Sequence, residues 1–112
     1  MFLDVPYHIT RSAADLYVEQ VGPEGGTAVY YLHGGPGYNS HSFRDLVGED
    51  LEGYRMIYAD QRGAGRSYAE ADFTVEDLVD DVRAVLDALE IGGAALLAHG
   101  FGAQIAVRAA AP

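Results

Sequence analysis

Three stretches of this sequence are rich in apolar residues and end in glycine: TAVYYLHG (27–34), YRMIYADQRG (54–63) and AALLAHG (94–100). Runs of this kind suit strands of a parallel sheet, which is covered on both faces. Two earlier segments, FLDVPYHIT and ADLYVEQVG, also read as strands. Pro6 interrupts the first, lacks an N–H for a ladder, and so places that strand at an edge.

Between the later runs the period changes to that of a helix. In TVEDLVDDVRAVLDALEIGG, Val75, Leu78, Val79, Val82, Val85, Leu86 and Leu89 fall three and four apart and form one apolar stripe. Thr74 is placed to cap this helix, with Asp77 at the third helical position. Glu76 and Asp77 suit the positive end of the helix dipole. Gly92 and Gly93 are expected to stop it. A weaker helix follows Asn39, with Phe43, Leu46, Val47 and Leu51 inward. A third starts near Phe101, with Ile105, Ala106 and Ala109 inward.

The predicted order is β-β-β-α-β-α-β-α, an α/β fold with a mostly parallel sheet and flanking helices. The last strand, made of Ala and Leu, is expected at an open edge, a hazard unless something covers it. The expectation is therefore that residues 1–112 form the N-terminal part of a single domain. More chain, or a second chain, would cover that strand.

Composition narrows the chemistry. Half of the 112 residues (49%) are hydrophobic, enough for a core. Seventeen acidic against seven basic residues give a net charge of −10, which argues against nucleic acid and against an anionic membrane surface. No stretch is apolar for long enough to span a bilayer. The N-terminus MFLDVPYHIT lacks the basic start and long apolar run of a signal peptide, so the expected compartment is the cytoplasm. With no cysteine, disulfides, thiolate metal sites and a cysteine nucleophile are absent. The four histidines show no zinc-ligand spacing, and no cofactor or metal is expected.

Three glycine-rich turns follow predicted strands, where ligand crevices form in open α/β sheets. HGGPG (33–37) lets the backbone approach a substrate and point N–H groups at developing negative charge, as an oxyanion hole does. In DQRGAGRS (60–67), Gly63 and Gly65 make a tight turn that an Asp60–Arg62 pair is expected to fix, and Ser67 is expected to cap a turn. AHGFG (98–102) matches the strand–turn–helix pattern G-x-S-x-G, with small residues at Ala98 and Gly102 and glycine where the serine stands.

These motifs, in this order and spacing, resemble the α/β-hydrolase fold. HGGPG followed by DQRGAGRS is more specifically similar to the proline iminopeptidase group. The match covers essentially the whole chain but only the first half of such a fold. The resemblance implies an oxyanion hole from the amides of Gly35 and Phe101. It also implies a substrate end shaped by Gly34, and Gly100 at the nucleophile position. The family's acid and catalytic histidine, and the cap that sets specificity, would lie beyond Pro112. His33 then belongs to the oxyanion turn and His99 to the elbow, while His8 and His41 are surface or packing residues.

Acyl transfer by this route needs an activated hydroxyl, which glycine does not supply. Glycine does adopt the strained left-handed geometry of such a turn almost freely. The implied activity is removal of an N-terminal residue from a short peptide, or related amide or ester hydrolysis, with its covalent step compromised. A different reading is a non-catalytic protein that keeps the pocket for a small peptide, amide or ester ligand. A Rossmann-type nucleotide binder fits less well, because GAGRSY lacks the third glycine of G-x-G-x-x-G.

Overall fold

The computed structural model describes all residues except 12–13, 35–38, 52, 70–72 and 111–112. The strands are β1 (Phe2–Arg11), β2 (Ala14–Pro23), β3 (Ala28–Leu32), β4 (Arg55–Ala59), β5 (Tyr68–Ala69) and β6 (Ala95–Ala98). The helices are α1 (His41–Val47), continued by a 3-10 turn at Gly48–Leu51, then α2 (Val75–Ala88) and α3 (Gly102–Ala110). The predicted order therefore holds, with two additions: the 3-10 turn and the two-residue strand β5.

The strands form one sheet in the order β1-β2-β4-β3-β6, with β5 pairing β2. β4, β3 and β6 are parallel neighbours, while β2 runs antiparallel to β1, β4 and β5. β2 alone thus points against the rest, and the sheet is mixed but mostly parallel. β1 is an edge strand, as Pro6 requires. β6 forms the opposite edge.

Alternation along the strands makes two cores. Tyr30 and Leu32 of β3 and Ile57 and Ala59 of β4 face the larger one. α2 closes it with Leu78, Val79, Val82 and Val85, and α3 with Ile105, all buried. The opposite face carries Tyr31, Met56 and Tyr58, with Phe43 and Leu51 packed against them. Phe43 stacks on Tyr31 at 4.0 Å between ring centroids. The Leu46 and Val47 side chains lie outside the described residues.

Helix α2 begins as the sequence predicts. The Thr74 side chain accepts from the Asp77 N–H, and the Asp77 carboxylate accepts from the Thr74 N–H, a reciprocal capping box. Its end differs from expectation. The stop falls at Glu90, which takes φ +58°, and not at Gly92–Gly93. Glu90 N–H donates to Asp87 O and Ile91 N–H to Leu86 O, the paired hydrogen bonds of a Schellman motif. Leu86 and Ile91 both pack on the core, so the apolar contact across the helix end fixes the turn before the glycines are reached.

Candidate functional site

The three glycine turns sit at the carboxyl ends of β3, β4 and β6. Because these strands are parallel neighbours, the register Leu32↔Ala59 and Leu32↔Ala98 brings all three turns to one end of the strands. The carboxyl end of the strands is where crevices open in α/β folds.

Gly100 lies between β6 and α3 with φ +58°. Among the described residues, a Cβ built on it would meet the Gly34 Cα, at 3.6 Å. The third turn therefore faces Gly34 of the first across ordinary van der Waals distance, with a backbone that favours glycine. Gly102 is constrained differently. A Cβ there would collide with Leu32 O and stand 2.7 Å from His33 O, so α3 approaches the end of β3 too closely for any other residue. His99 N–H donates to Leu32 O, and Gly102, Ala103 and Gln104 N–H groups donate to His99, Gly100 and Phe101 carbonyls. Among the described residues, the Phe101 N–H is not used by these turn bonds. Gly34, Gly100 and Phe101 are thus brought together. Gly35, Pro36 and Gly37 lie outside the described residues.

His33 is fully buried beneath this crevice. Its Nδ1–H donates to Gly34 O at 2.6 Å, because a carbonyl can only accept. Its Nε2 accepts from the Gln61 N–H at 2.9 Å. The Gln61 side-chain amide donates back to His33 O at 2.9 Å. Both ring nitrogens are committed, so the tautomer is fixed by its partners. Burial lowers the ring's pKa below the usual imidazole value, outweighing the Gly34 bond and the nearby Asp60 charge. His99, by contrast, is exposed, and its Nδ1 lies 2.9 Å from where a Gly34 Cβ would be. His8 and His41 are on the surface, beside Asp15 and Asp45.

The second turn is held by ion pairs other than the expected one. Asp60 does not pair with Arg62. Its buried carboxylate accepts from the Ser40 N–H and Oγ–H at 2.9 and 2.8 Å, and from the Arg66 N–H and Nε–H at 2.9 and 2.7 Å. Burial alone would raise its pKa, but the donors from Arg66 and Ser40 outweigh it and hold the carboxyl below the usual range. The left-handed glycines Gly63 and Gly65 bend the chain back so that Arg66, four residues beyond Arg62, reaches Asp60. Arg62 turns the other way, into a buried bidentate pair with Asp81 of α2 at 3.0 and 2.9 Å. Ser67 has the structural role expected of it. Its hydroxyl donates to Asp60 O and accepts from the Tyr17 N–H, tying the turn to β2.

The Ser40 link to Asp60 was not visible in the sequence. It explains why Ser40, in the N-cap position of α1, makes no side-chain cap bond. Asn39 Oδ1 takes the His41 N–H instead. Among the described residues no group of three or more His, Asp or Glu side chains could hold a metal ion. No helix among them is long and apolar enough to cross a membrane.

The family model described as alpha/beta hydrolase fold matches residues 27–112. The chain is 37% identical over 107 residues to an epoxide hydrolase of Caballeronia sordidicola, covering 93% of this chain and 32% of that protein. It is 41% identical over 81 residues to a proline iminopeptidase of Neisseria gonorrhoeae, covering 69% of this chain and 26% of that protein. Among solved structures, a proline iminopeptidase-related protein from Thermus thermophilus superposes with a TM-score of 0.90 at 44% identity. That match covers 95% of this chain and 39% of that one. The chain therefore spans about a third of the length of these relatives.

Proposed function

The chain belongs to the α/β-hydrolase fold family, and from that premise we propose that it carries the first part of a hydrolase site of the proline iminopeptidase type. In this reading Gly100 stands at the nucleophile position, the Gly35 and Phe101 amides are the oxyanion donors, and Gly34 shapes the substrate end. The supporting observation is the Gly100 turn. It has the left-handed backbone of a nucleophile elbow, and its missing side chain would point toward Gly34 at van der Waals distance.

The substrate class is a short peptide that loses its N-terminal residue, or a related amide or ester. The acid and base that complete such a site would come from sequence following this chain, as its much longer relatives allow. Without a hydroxyl at position 100 no acyl-enzyme forms. What remains is positioning and the oxyanion donors, which in dismantled triads retain about 10³–10⁴-fold catalysis over water.

The test uses the natural polypeptide that carries this sequence, as found and with Gly100→Ser, on a proline arylamide and a short-chain aryl ester. Recovery of turnover by several orders of magnitude supports the reading. Background rates on both substrates with a correctly folded Gly100→Ser variant count against it. They favour the second reading, a binding protein that holds a small carbonyl or carboxylate ligand in the same crevice. The absence of a nucleophile at Gly100 is what recommends that reading.

A further inference from the structure

We propose that the cleft between α1 and the β1–β2 hairpin is a binding site for a small primary amine with an apolar body, held through Asp4. The cleft lies apart from the glycine turns and does not depend on the hydrolase reading.

Its walls set the body of the ligand. Val21 and Met56, partners across β2 and β4, line it together with Phe2 of β1 and Leu51 of the 3-10 turn. This is the end at which β4 begins, opposite to the end that carries the DQRG turn. The volume is about 220 Å³, room for about seven waters. Pockets for drug-sized ligands start at about 300 Å³, so a compact hydrocarbon body is the one that fits.

Charge sets the other end. The polar lining is Asp4, Arg44 and Tyr58. Arg44 is held between two carboxylates: Nη2 donates to Asp4 Oδ1 at 3.0 Å and Nη1 to Glu19 Oε2 at 2.7 Å. Glu19 Oε1 stands 3.6 Å from Arg66 Nη1, and Arg66 holds Asp60. The result is a line of alternating charges, Asp4–Arg44–Glu19–Arg66–Asp60, in which three carboxylates face two guanidiniums. One negative charge is left unmatched.

The donors show where it falls. Asp60 is saturated by Ser40 and Arg66. Glu19 is buried between both guanidiniums, and its Oε2 also accepts from the Tyr17 hydroxyl. Its Oε1 makes no hydrogen bond, but no ligand reaches a buried atom without displacing its neighbours. Asp4, among the described residues, accepts only from Arg44 and only through Oδ1, and its side chain is 59% exposed. The unmatched charge therefore sits at the Asp4 end, at the cleft. An anion there would bring a third negative charge to Arg44. An ammonium donates to the remaining lone pairs of Asp4 and balances the line. Tyr58 adds a neutral hydroxyl, because burial pushes its pKa up against the pull of Arg44.

The probe is phenethylamine, titrated into the natural polypeptide that carries this sequence while the Met56 methyl is followed by NMR. A saturable shift with a Kd of about 1 mM or tighter is expected, as suits a ligand of this size. Hydrocinnamate, of similar shape and opposite charge, should bind at least about tenfold more weakly. Asp4→Asn should weaken the amine about 10–100-fold, the loss of a charge-assisted bond. A net charge of −10 attracts any cation loosely, and Gly48→Met separates that background from the cleft. Gly48 lines the cleft in a helical conformation, and a Cβ on it would stand 3.8 Å from the Tyr58 hydroxyl. The added side chain fills the cleft, keeps every charge, and should abolish the shift at an unchanged melting temperature. The proposal is overturned by equal or tighter binding of hydrocinnamate, by an unchanged Kd in Asp4→Asn, by amine binding that Gly48→Met leaves intact, or by no saturable shift up to about 10 mM amine.

Discussion

β4 and β6 are both short apolar strands beside β3, yet they meet very different surroundings. The last four residues of β4 are buried, and the strand has β2 on one side and β3 on the other. β6 has β3 alone, and its residues alternate between exposed and half-buried. Around the end of β4 the polar groups are densely satisfied: Asp60 by Ser40 and Arg66, Arg62 by Asp81, His33 by Gly34 and Gln61. Around β6 and α3, Leu97 is 37% and Val107 73% exposed. An apolar run marks a strand meant for burial, but its neighbours decide whether burial is achieved. The proposed site lies on the seam between the two regions, with Gly34 on the packed side and Gly100 on the open one.

The largest expected effect comes from breaking the packed side. Arg62→Met removes the bidentate guanidinium from the buried Asp81 carboxylate. Loss of one member of a buried pair typically costs about 3–5 kcal/mol. On the open side, Val107→Ala should change stability by no more than about 0.5 kcal/mol, as exposed substitutions usually do. Urea unfolding of the natural polypeptide measures both. Similar midpoints for the two variants would erase the contrast.

Acid should attack the packed side next. The Asp60 carboxyl titrates below its ordinary value in the fold, because the Arg66 and Ser40 donors outweigh burial. A depressed carboxyl contributes fully above its unfolded pKa of about 3.9. Its contribution then disappears as pH falls from there through the folded value. His33 acts in the same direction at higher pH. Its folded pKa is lowered by burial, so its share is present above about pH 6.5 and lost as pH drops through the folded value. Unfolding free energy should therefore decline on acidification. In Asp60→Asn the limb below about pH 4 should be shallower. An identical limb in the variant would mean that other carboxylates control acid stability.

The open side should reveal itself by association. Residues 1–112 expressed alone present β6 as an unpaired edge with Leu97 on its face, and such edges recruit other strands. Leu97→Lys adds a charge there, a device natural edge strands use against pairing. Light scattering should show association of the unaltered chain and less of it in the variant. A monodisperse monomer of the unaltered chain would mean that this edge is harmless.

The same contrast explains what could be read from the amino-acid order. α2 was legible to its cap, because its stripe and the Thr74–Asp77 box are local features. The edge position of β1 followed from Pro6, and the convergence of the glycine turns from the strand–turn–helix spacing. Partner choice at Asp60 was not legible. Asp60 is two residues from Arg62 and six from Arg66, and only the backbone of Gly63 and Gly65 decides which guanidinium returns. The hydrogen bonds of His33 were hidden for the same reason, since Gln61 reaches its ring across the parallel pairing of β3 and β4. The insertion of β4 between β2 and β3 likewise depends on pairing that no local pattern specifies.

The smallest effect lies where the chain passes from one region to the other, at the end of α2. Glu90 carries a side chain in a left-handed conformation, which is unfavourable for residues with a Cβ. Its negative charge also sits at the negative end of the helix dipole. The Schellman bonds and the packing of Leu86 and Ile91 hold it there nonetheless. Glu90→Gly should stabilise the protein by about 0.5–1 kcal/mol, the relief of strain being partly offset by a more flexible unfolded chain. Gly92 has no positive φ and open space around its missing Cβ. Gly92→Ala should therefore be neutral within about 0.5 kcal/mol. If that change destabilises by more than about 1 kcal/mol while Glu90→Gly gives nothing, then the glycines end the helix in solution, as the sequence suggested, and the open region begins two residues later.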